Sequence, residues 1–211
     1  MTEYSIPWSM IAKKLFDFAK IHRTVGRIEL EFLTQLWLPI LVSAVAIFIV
    51  SFITHMVLPF HKSEFKRLPN EDHLMAELSK VPAENYMFPC PENSKDMNSP
   101  EYRAKMDQGP NGLLIVWPSK VNMGQNLGLT FLFYILVGIF VAYLGTHSID
   151  PGATYMHRFR ICGTIAFASH GLGWMSFLIW FKYNRFWPNF LDAVLYSLVT
   201  AGIFASMWPG A

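Results

Sequence analysis

Charge is what this chain has least of. Asp, Glu, Lys and Arg make up 15% of its 211 residues, whereas 53% are hydrophobic. A soluble domain carries about 25% charged residues. The charged residues crowd between four stretches that hold almost none. This segregation into blocks is typical of a membrane protein and argues against a soluble globular domain.

Cysteine is nearly absent as well. Cys90 and Cys162 are the two cysteines of the sequence, which excludes a CxxC redox motif and a four-cysteine zinc site. A net charge of +2 is too small to indicate a nucleic-acid partner. Sequence motifs for nucleotide binding, a nucleophile elbow or a metalloprotease helix are missing. The first strongly apolar run begins near Leu36, too late for a cleavable signal peptide.

The four apolar stretches predict an all-α membrane protein, a bundle of four transmembrane helices. The first stretch, 36–58, is 23 residues long without a formal charge. At 1.5 Å per residue it measures about 35 Å, enough to cross a hydrocarbon core of about 30 Å. The other three predicted spans are 126–146, 161–182 and 189–208. Tryptophans that mark the two interfaces are Trp37 and Trp208 on one side and Trp180 and Trp187 on the other.

Two segments outside the spans have their own character. Residues 1–35 alternate apolar and basic side chains at helical spacing, which predicts an amphipathic arm lying on an anionic leaflet or packed on another protein. Residues 59–125 predict a small mixed cap on the membrane, with two short helices and two paired strands. Asn70 and Ser99 are the predicted N-caps of those helices, and Gly109 is the predicted stop of the second.

Small residues at helical spacing predict where the spans contact one another. Lipid tails are as apolar as leucine, so membrane helices associate through close backbone approach. The fourth span places a small residue at every fourth position, and the second span carries several glycines. The predicted packing residues are Gly124, Gly128, Gly138, Ala193, Ser197, Ala201 and Ala205. Packing within one bundle is favoured over a homodimer seam because short loops already hold neighbouring spans together.

Ionisable residues at membrane depth are the candidate functional groups. His170 lies near the middle of the third span, where a neutral imidazole bonded to a neighbouring helix competes with proton relay or cofactor ligation. His55 near the end of the first span and Asp192 near the start of the fourth reach the same face of the bilayer. They predict either a buried carboxylate–imidazole pair or, with Asn189 as N-cap, an aspartate that only serves a helix terminus.

His61 follows the first span closely and, with His55 and His73, offers ligands for a metal ion whose geometry the sequence does not fix. Ligation of haem by two histidines is disfavoured because His55 and His170 differ in depth by more than two helical turns. The sequence therefore assigns no catalytic residue, no metal site and no cofactor.

Four stretches resemble a family of small bacterial inner-membrane proteins that has no assigned activity. They are HMVLPFHKSEFKRLPNED, YMFP, SPEYRAKMDQGPNG and LDAVLYSLVTAGIFASMWP, and the similarity covers the chain from about Leu36 to Trp208. The resemblance implies four spans in a bacterial inner membrane and no catalytic residues. Residues 1–35 depart from the pattern and form an added arm.

Three functions follow as hypotheses. The first is an accessory or structural subunit of a larger membrane assembly, with membrane-protein partners or further copies of itself and no catalytic centre. The second is a small transporter or channel that uses His170. The third is a membrane-embedded enzyme or metal site that uses His55, His61 and Asp192. Basic residues beside the spans nearly balance, and Lys13 and Lys14 favour an orientation with both termini in the cytoplasm.

Overall fold

The structure is a computed structural model that describes residues 8–62, 65–181 and 186–210, with side chains of the first helix described from Leu30 onward. It is mostly helical. The α-helices are α1 Trp8–Phe52, α2 Glu71–Leu78, α3 Pro100–Gln108, α4 Met123–Ser148, α5 Tyr155–Phe167, α6 Gly173–Phe181 and α7 Phe186–Met207. Two π-helical turns, Ile53–Val57 and Ala168–Leu172, continue α1 and join α5 to α6.

Among the residues that the structure describes, four helical segments are long and apolar enough to cross a membrane. They are span 1, Leu30–Val57, span 2, Met123–Ser148, span 3, Tyr155–Phe181, and span 4, Phe186–Met207. Each exceeds the roughly 20 residues that a bilayer requires. The prediction of four helices with the length and composition of membrane spans is confirmed.

Helix α1 runs without a break from Trp8 into span 1. The predicted arm 1–35 is therefore continuous with the first span over its helical part, and no turn separates the two. The amphipathic pattern predicted for this arm falls on side chains outside the described set. Pro39 lies inside α1, not in the first turn of a new helix.

The cap between spans 1 and 2 contains the predicted elements. Strands β1 Asn85–Phe88 and β2 Gly112–Ile115 pair antiparallel, with Phe88 opposite Gly112. The Ser99 hydroxyl accepts a hydrogen bond from the Tyr102 N–H at 3.1 Å and caps α3 as predicted. Asn70 precedes α2, but its backbone is left-handed (φ 54°) and its side chain forms no capping hydrogen bond.

The four spans form a closed ring of contacts. Helix α7 contacts α5 and α1, and α4 contacts α1 and α5. All four small residues of the α7 stripe are buried, and they are Ala193, Ser197, Ala201 and Ala205. A Cβ placed on Gly163 would lie 3.1 Å from the Ala201 Cβ, so the small residues let the two backbones approach closely.

The glycines of span 2 divide into two groups. A Cβ on Gly138 would lie 3.4 Å from the Ile40 backbone, so this glycine sits at the contact of spans 1 and 2. Gly124 and Gly128 are exposed. A Cβ on Gly128 would meet no described atom within 4 Å, and one on Gly124 would meet the Asn122 side chain of its own helix. Of these three predicted packing glycines, Gly138 alone lies at a close contact with another span.

Candidate metal centre

A cluster of His55, His61 and Asp192 forms where span 1 ends and span 4 begins. The Leu58 N–H donates to the Ile53 carbonyl at 2.9 Å, five residues back, which closes the π turn Ile53–Val57 around His55. Pro59 then opens a 3₁₀ turn, Pro59–His61, that brings His61 back over His55. The two imidazoles stack with ring centroids 3.9 Å apart and planes 9° from parallel. We call these three residues the His–His–Asp cluster.

Both histidines direct the same ring nitrogen at one carboxylate oxygen. His61 Nε2 lies 3.2 Å from Asp192 Oδ2, and His55 Nε2 lies 3.7 Å from it. The His61 and Asp192 side chains are 5% and 9% exposed, whereas that of His55 is 47% exposed. The cluster is therefore anchored on two buried groups and is reached from outside past His55.

Asp192 is an interior residue of its helix. Helix α7 begins at Phe186 and has no acidic residue in its first turn, so Asp192 is its seventh residue. The prediction that Asn189 caps the helix and that Asp192 occupies the third position is wrong. The helix begins four residues earlier than predicted, with Pro188 accommodated in its first turn. A favourable interaction with the helix N-terminus therefore does not explain why this carboxylate is buried.

One contact of His55 bears on its tautomer. Its Nδ1 lies 3.0 Å from the Ser51 carbonyl oxygen. A carbonyl only accepts, so this contact is a hydrogen bond when Nδ1 carries the proton, and in that neutral tautomer Nε2 holds a lone pair. That lone pair faces Asp192. Metal-bound histidines have the same arrangement, in which the second ring nitrogen donates to a carbonyl or carboxylate and orients the ring.

Two residues that sequence reasoning did not single out complete the surroundings. Thr54 is buried, and its Oγ1 lies 3.2 Å from His55 Nδ1 and 3.4 Å from the Tyr196 hydroxyl. Tyr196 follows Asp192 by four residues and therefore lies on the same face of α7. That spacing was a readable signal for Tyr196. In the sequence, only the position of Thr54 next to His55 could have indicated that it lies near the cluster.

The other two predicted histidines lie elsewhere. His73 is on α2 in the cap and is exposed. His170 lies in the π turn of span 3, where its ring makes edge contacts with Tyr134 and Tyr196 at 6.0 and 5.5 Å. Its Nε2 is buried, and within the described part of the chain it has no hydrogen-bond partner. His170 is thus set among aromatic rings, one of which, Tyr196, also borders the His–His–Asp cluster through Thr54.

The ligand atoms of the cluster match the dimensions of a metal site. All three lie within 4.8 Å of one another. Tetrahedral zinc with bonds of about 2.05 Å separates its ligand atoms by about 3.3 Å, close to the 3.2 and 3.7 Å found here. The two ring planes are stacked 9° from parallel, so one imidazole must rotate before both lone pairs point at the same cation.

No family model, no curated protein and no solved structure matches this chain. The resemblance to small bacterial inner-membrane proteins stays a prediction.

Proposed function

We propose that this protein is a multi-pass membrane protein that holds a divalent transition-metal ion in its His–His–Asp cluster. The observation that carries the proposal is the convergence of two imidazole nitrogens on one buried carboxylate oxygen, at 3.2 and 3.7 Å. Ionisable groups at membrane depth are costly, and they mark functional sites. We therefore favour a metal site over a purely structural role as an assembly subunit.

A metal cation accounts for the geometry without a positive charge on either ring. A proton on Nε2 of each histidine also satisfies both contacts with Asp192, but with Nδ1 of His55 donating to Ser51 it makes His55 an imidazolium stacked 3.9 Å from the neutral ring of His61. A metal ion accepts one electron pair from each of the three groups and leaves both imidazoles neutral.

The donor set indicates the class of metal. Two imidazoles and one carboxylate suit Zn²⁺ and Fe²⁺, whereas Mg²⁺ and Ca²⁺ prefer oxygen ligands. Three protein ligands leave a coordination position for water or a substrate. His55 is half exposed, so that position is reached from the surface of the bundle.

Zinc binding to the purified protein tests the proposal. Chelator-stripped protein in neutral detergent, given Zn²⁺ and freed of excess, should retain one equivalent by elemental analysis. Asp192→Asn removes the anionic ligand and keeps the side-chain shape. Loss of an outer-shell contact weakens metal binding by about 10- to 100-fold. Loss of a direct ligand should therefore weaken zinc binding by about 100-fold or more.

His73→Ala is the matched control, because it removes an exposed histidine on the same side of the bundle and outside the cluster. It should leave the zinc content unchanged. Wild-type protein without stoichiometric zinc or iron, or unchanged binding by the Asp192→Asn variant, would sink the proposal.

A second function, as a subunit of a larger membrane assembly, is favoured by the length of α1. Helix α1 extends N-terminal of Leu30 as far back as Trp8, about 33 Å at 1.5 Å per residue. A helical extension of that length provides a surface for a membrane-protein partner. We place the bundle in a bacterial inner membrane with both termini in the cytoplasm, as the family resemblance and Lys13 and Lys14 favour.

A further inference from the structure

Arg158 is a buried cation at the end of the bundle opposite the His–His–Asp cluster. It is the fourth residue of α5 and is 7% exposed. Its Nε is buried and, over residues 8–62, 65–181 and 186–210, forms no hydrogen bond. None of the ion pairs among those residues includes Arg158. A guanidinium remains charged at any physiological pH, and a buried charge without a partner is costly.

A cavity of about 260 Å³ opens beside this guanidinium. Its walls come from the start of span 1 at Gln35 and Leu36, the turn between spans 2 and 3, and the end of the chain at Trp208. The spans end at this level, so the cavity lies at the depth of the lipid headgroups in the proposed membrane arrangement. It combines one buried positive group with walls of mixed polarity, in which Gln35, Thr146 and Asp150 lie beside apolar side chains.

The start of α5 adds to the positive field. Ala153, which lines the cavity, precedes the N-cap Thr154. Thr154 Oγ1 accepts from the His157 N–H at 3.3 Å, and the remaining first-turn N–H groups have no partner within the helix. A helix N-terminus attracts anions, and here it reinforces a buried arginine.

Asp150 also lines the cavity and opposes an anion there. Its side chain is exposed, so water and salt screen it more strongly than they screen the buried Arg158. The field inside the cavity is therefore set mainly by Arg158 and the start of α5.

We infer that this cavity binds a phosphate-type oxyanion through the two terminal Nη groups of Arg158, since its Nε is enclosed by the protein. Planar, bidentate hydrogen bonding to phosphate is the geometry that arginine provides and lysine does not. The ligand is either the headgroup of an anionic phospholipid or a free phosphate group. The inference is independent of the metal site, because the two sites lie at opposite ends of the bundle.

Two binding measurements on the full-length protein distinguish the sources. Titration with inorganic phosphate in neutral detergent, followed by calorimetry, tests a free oxyanion. Native mass spectrometry after release from phosphatidylglycerol nanodiscs tests a retained lipid. Saturable phosphate binding assigns a free oxyanion, and retained lipid without phosphate binding assigns the headgroup. Wild-type protein that binds neither probe overturns the inference.

Matched variants locate the binding. Arg158→Gln should weaken it about tenfold or more, the loss expected for a hydrogen bond to a charged group. Arg160→Gln removes the same charge from an exposed position two residues away and should leave binding unchanged. Asp150→Asn removes the opposing charge and should strengthen binding about two- to fivefold.

Equal binding by wild type and Arg158→Gln, or equal losses in the Arg158 and Arg160 variants, contradicts an arginine-centred site. If Arg158→Gln does not fold, Arg158→Lys keeps the charge without the fork and should bind more weakly than wild type. Arg158→Lys with full affinity also contradicts the inference. The zinc content of every folded variant should equal that of wild type.

Discussion

At the scale of single residues, two histidines with nearly the same local chemistry differ in what faces them. His55 Nδ1 lies 3.0 Å from the Ser51 carbonyl, and His147 Nδ1 lies 2.8 Å from the Tyr143 carbonyl, in both cases four residues back. Each is preceded by a threonine whose hydroxyl lies near the same ring nitrogen. His55 alone of the pair has a carboxylate in front of Nε2. This contrast separates the effect of the cluster from the effect of the local turn.

Modification with diethyl pyrocarbonate uses this contrast. The reagent attacks a free imidazole nitrogen, and His55 and His147 are both exposed. Zn²⁺ should slow modification of His55 severalfold, because the metal occupies its Nε2. His147 should react at the same rate with and without Zn²⁺, as measured by peptide mass spectrometry. Equal protection of the two, or of neither, would contradict ligation by His55.

At the scale of elements, the sequence predicted most of the secondary structure but less of its junctions. The four spans, the Ser99 cap and the pairing of β1 with β2 follow from local pattern, which a single segment carries by itself. The start of α7 was misplaced because Asn189 and Phe186 are both reasonable starts, and packing decides between them. His61 lies next to Asp192 and not next to His73 because a π turn followed by a 3₁₀ turn sets the direction of the His61 side chain. Hydrophobic periodicity does not predict either turn.

Helix α1 is the element that separates the two proposed functions. A chain that starts at Leu30 loses the extension and keeps span 1 and the His–His–Asp cluster. It should insert and bind zinc like wild type, whereas an assembly that depends on the extension should fall apart. Native mass spectrometry of digitonin extracts reports the mass of the assembled species.

A complex of unchanged mass around the shortened chain would exclude the extension as the assembly contact. If the full-length protein and the shortened protein are both found as single chains, the protein is not a subunit of a larger assembly. Zinc content provides the folding control in either case.

At the scale of the whole molecule, the two candidate sites lie at opposite ends of one bundle and are joined by span 4. Asp192 lies near the start of α7, and Trp208, on the wall of the Arg158 cavity, follows its last residue. Membrane orientation therefore decides which compartment each site faces. With both termini in the cytoplasm, the Arg158 cavity faces the cytoplasm and the His–His–Asp cluster faces the outside.

Thiol labelling of intact bacteria reads this orientation. Cys90 is exposed in the cap and Cys162 is fully buried, and both are free thiols. A reagent that enters the periplasm but does not cross the inner membrane should label Cys90 and leave the Cys90→Ser variant unlabelled. If Cys90 is labelled only after the cells are lysed, the orientation is the reverse and the His–His–Asp cluster faces the cytoplasm.

The π turn Ile53–Val57 has a consequence for how such a site arises and is lost. A π turn holds one more residue than an α turn, so it is the footprint of a one-residue insertion in a helix. Deleting a single residue there would restore the α-helical register and rotate His55 and the following turn about the helix axis, away from Asp192. Every ligand would still be encoded, and the hydropathy of the span would hardly change. Among related chains, the length of this turn is therefore a better marker of a functional metal centre than the presence of its histidines.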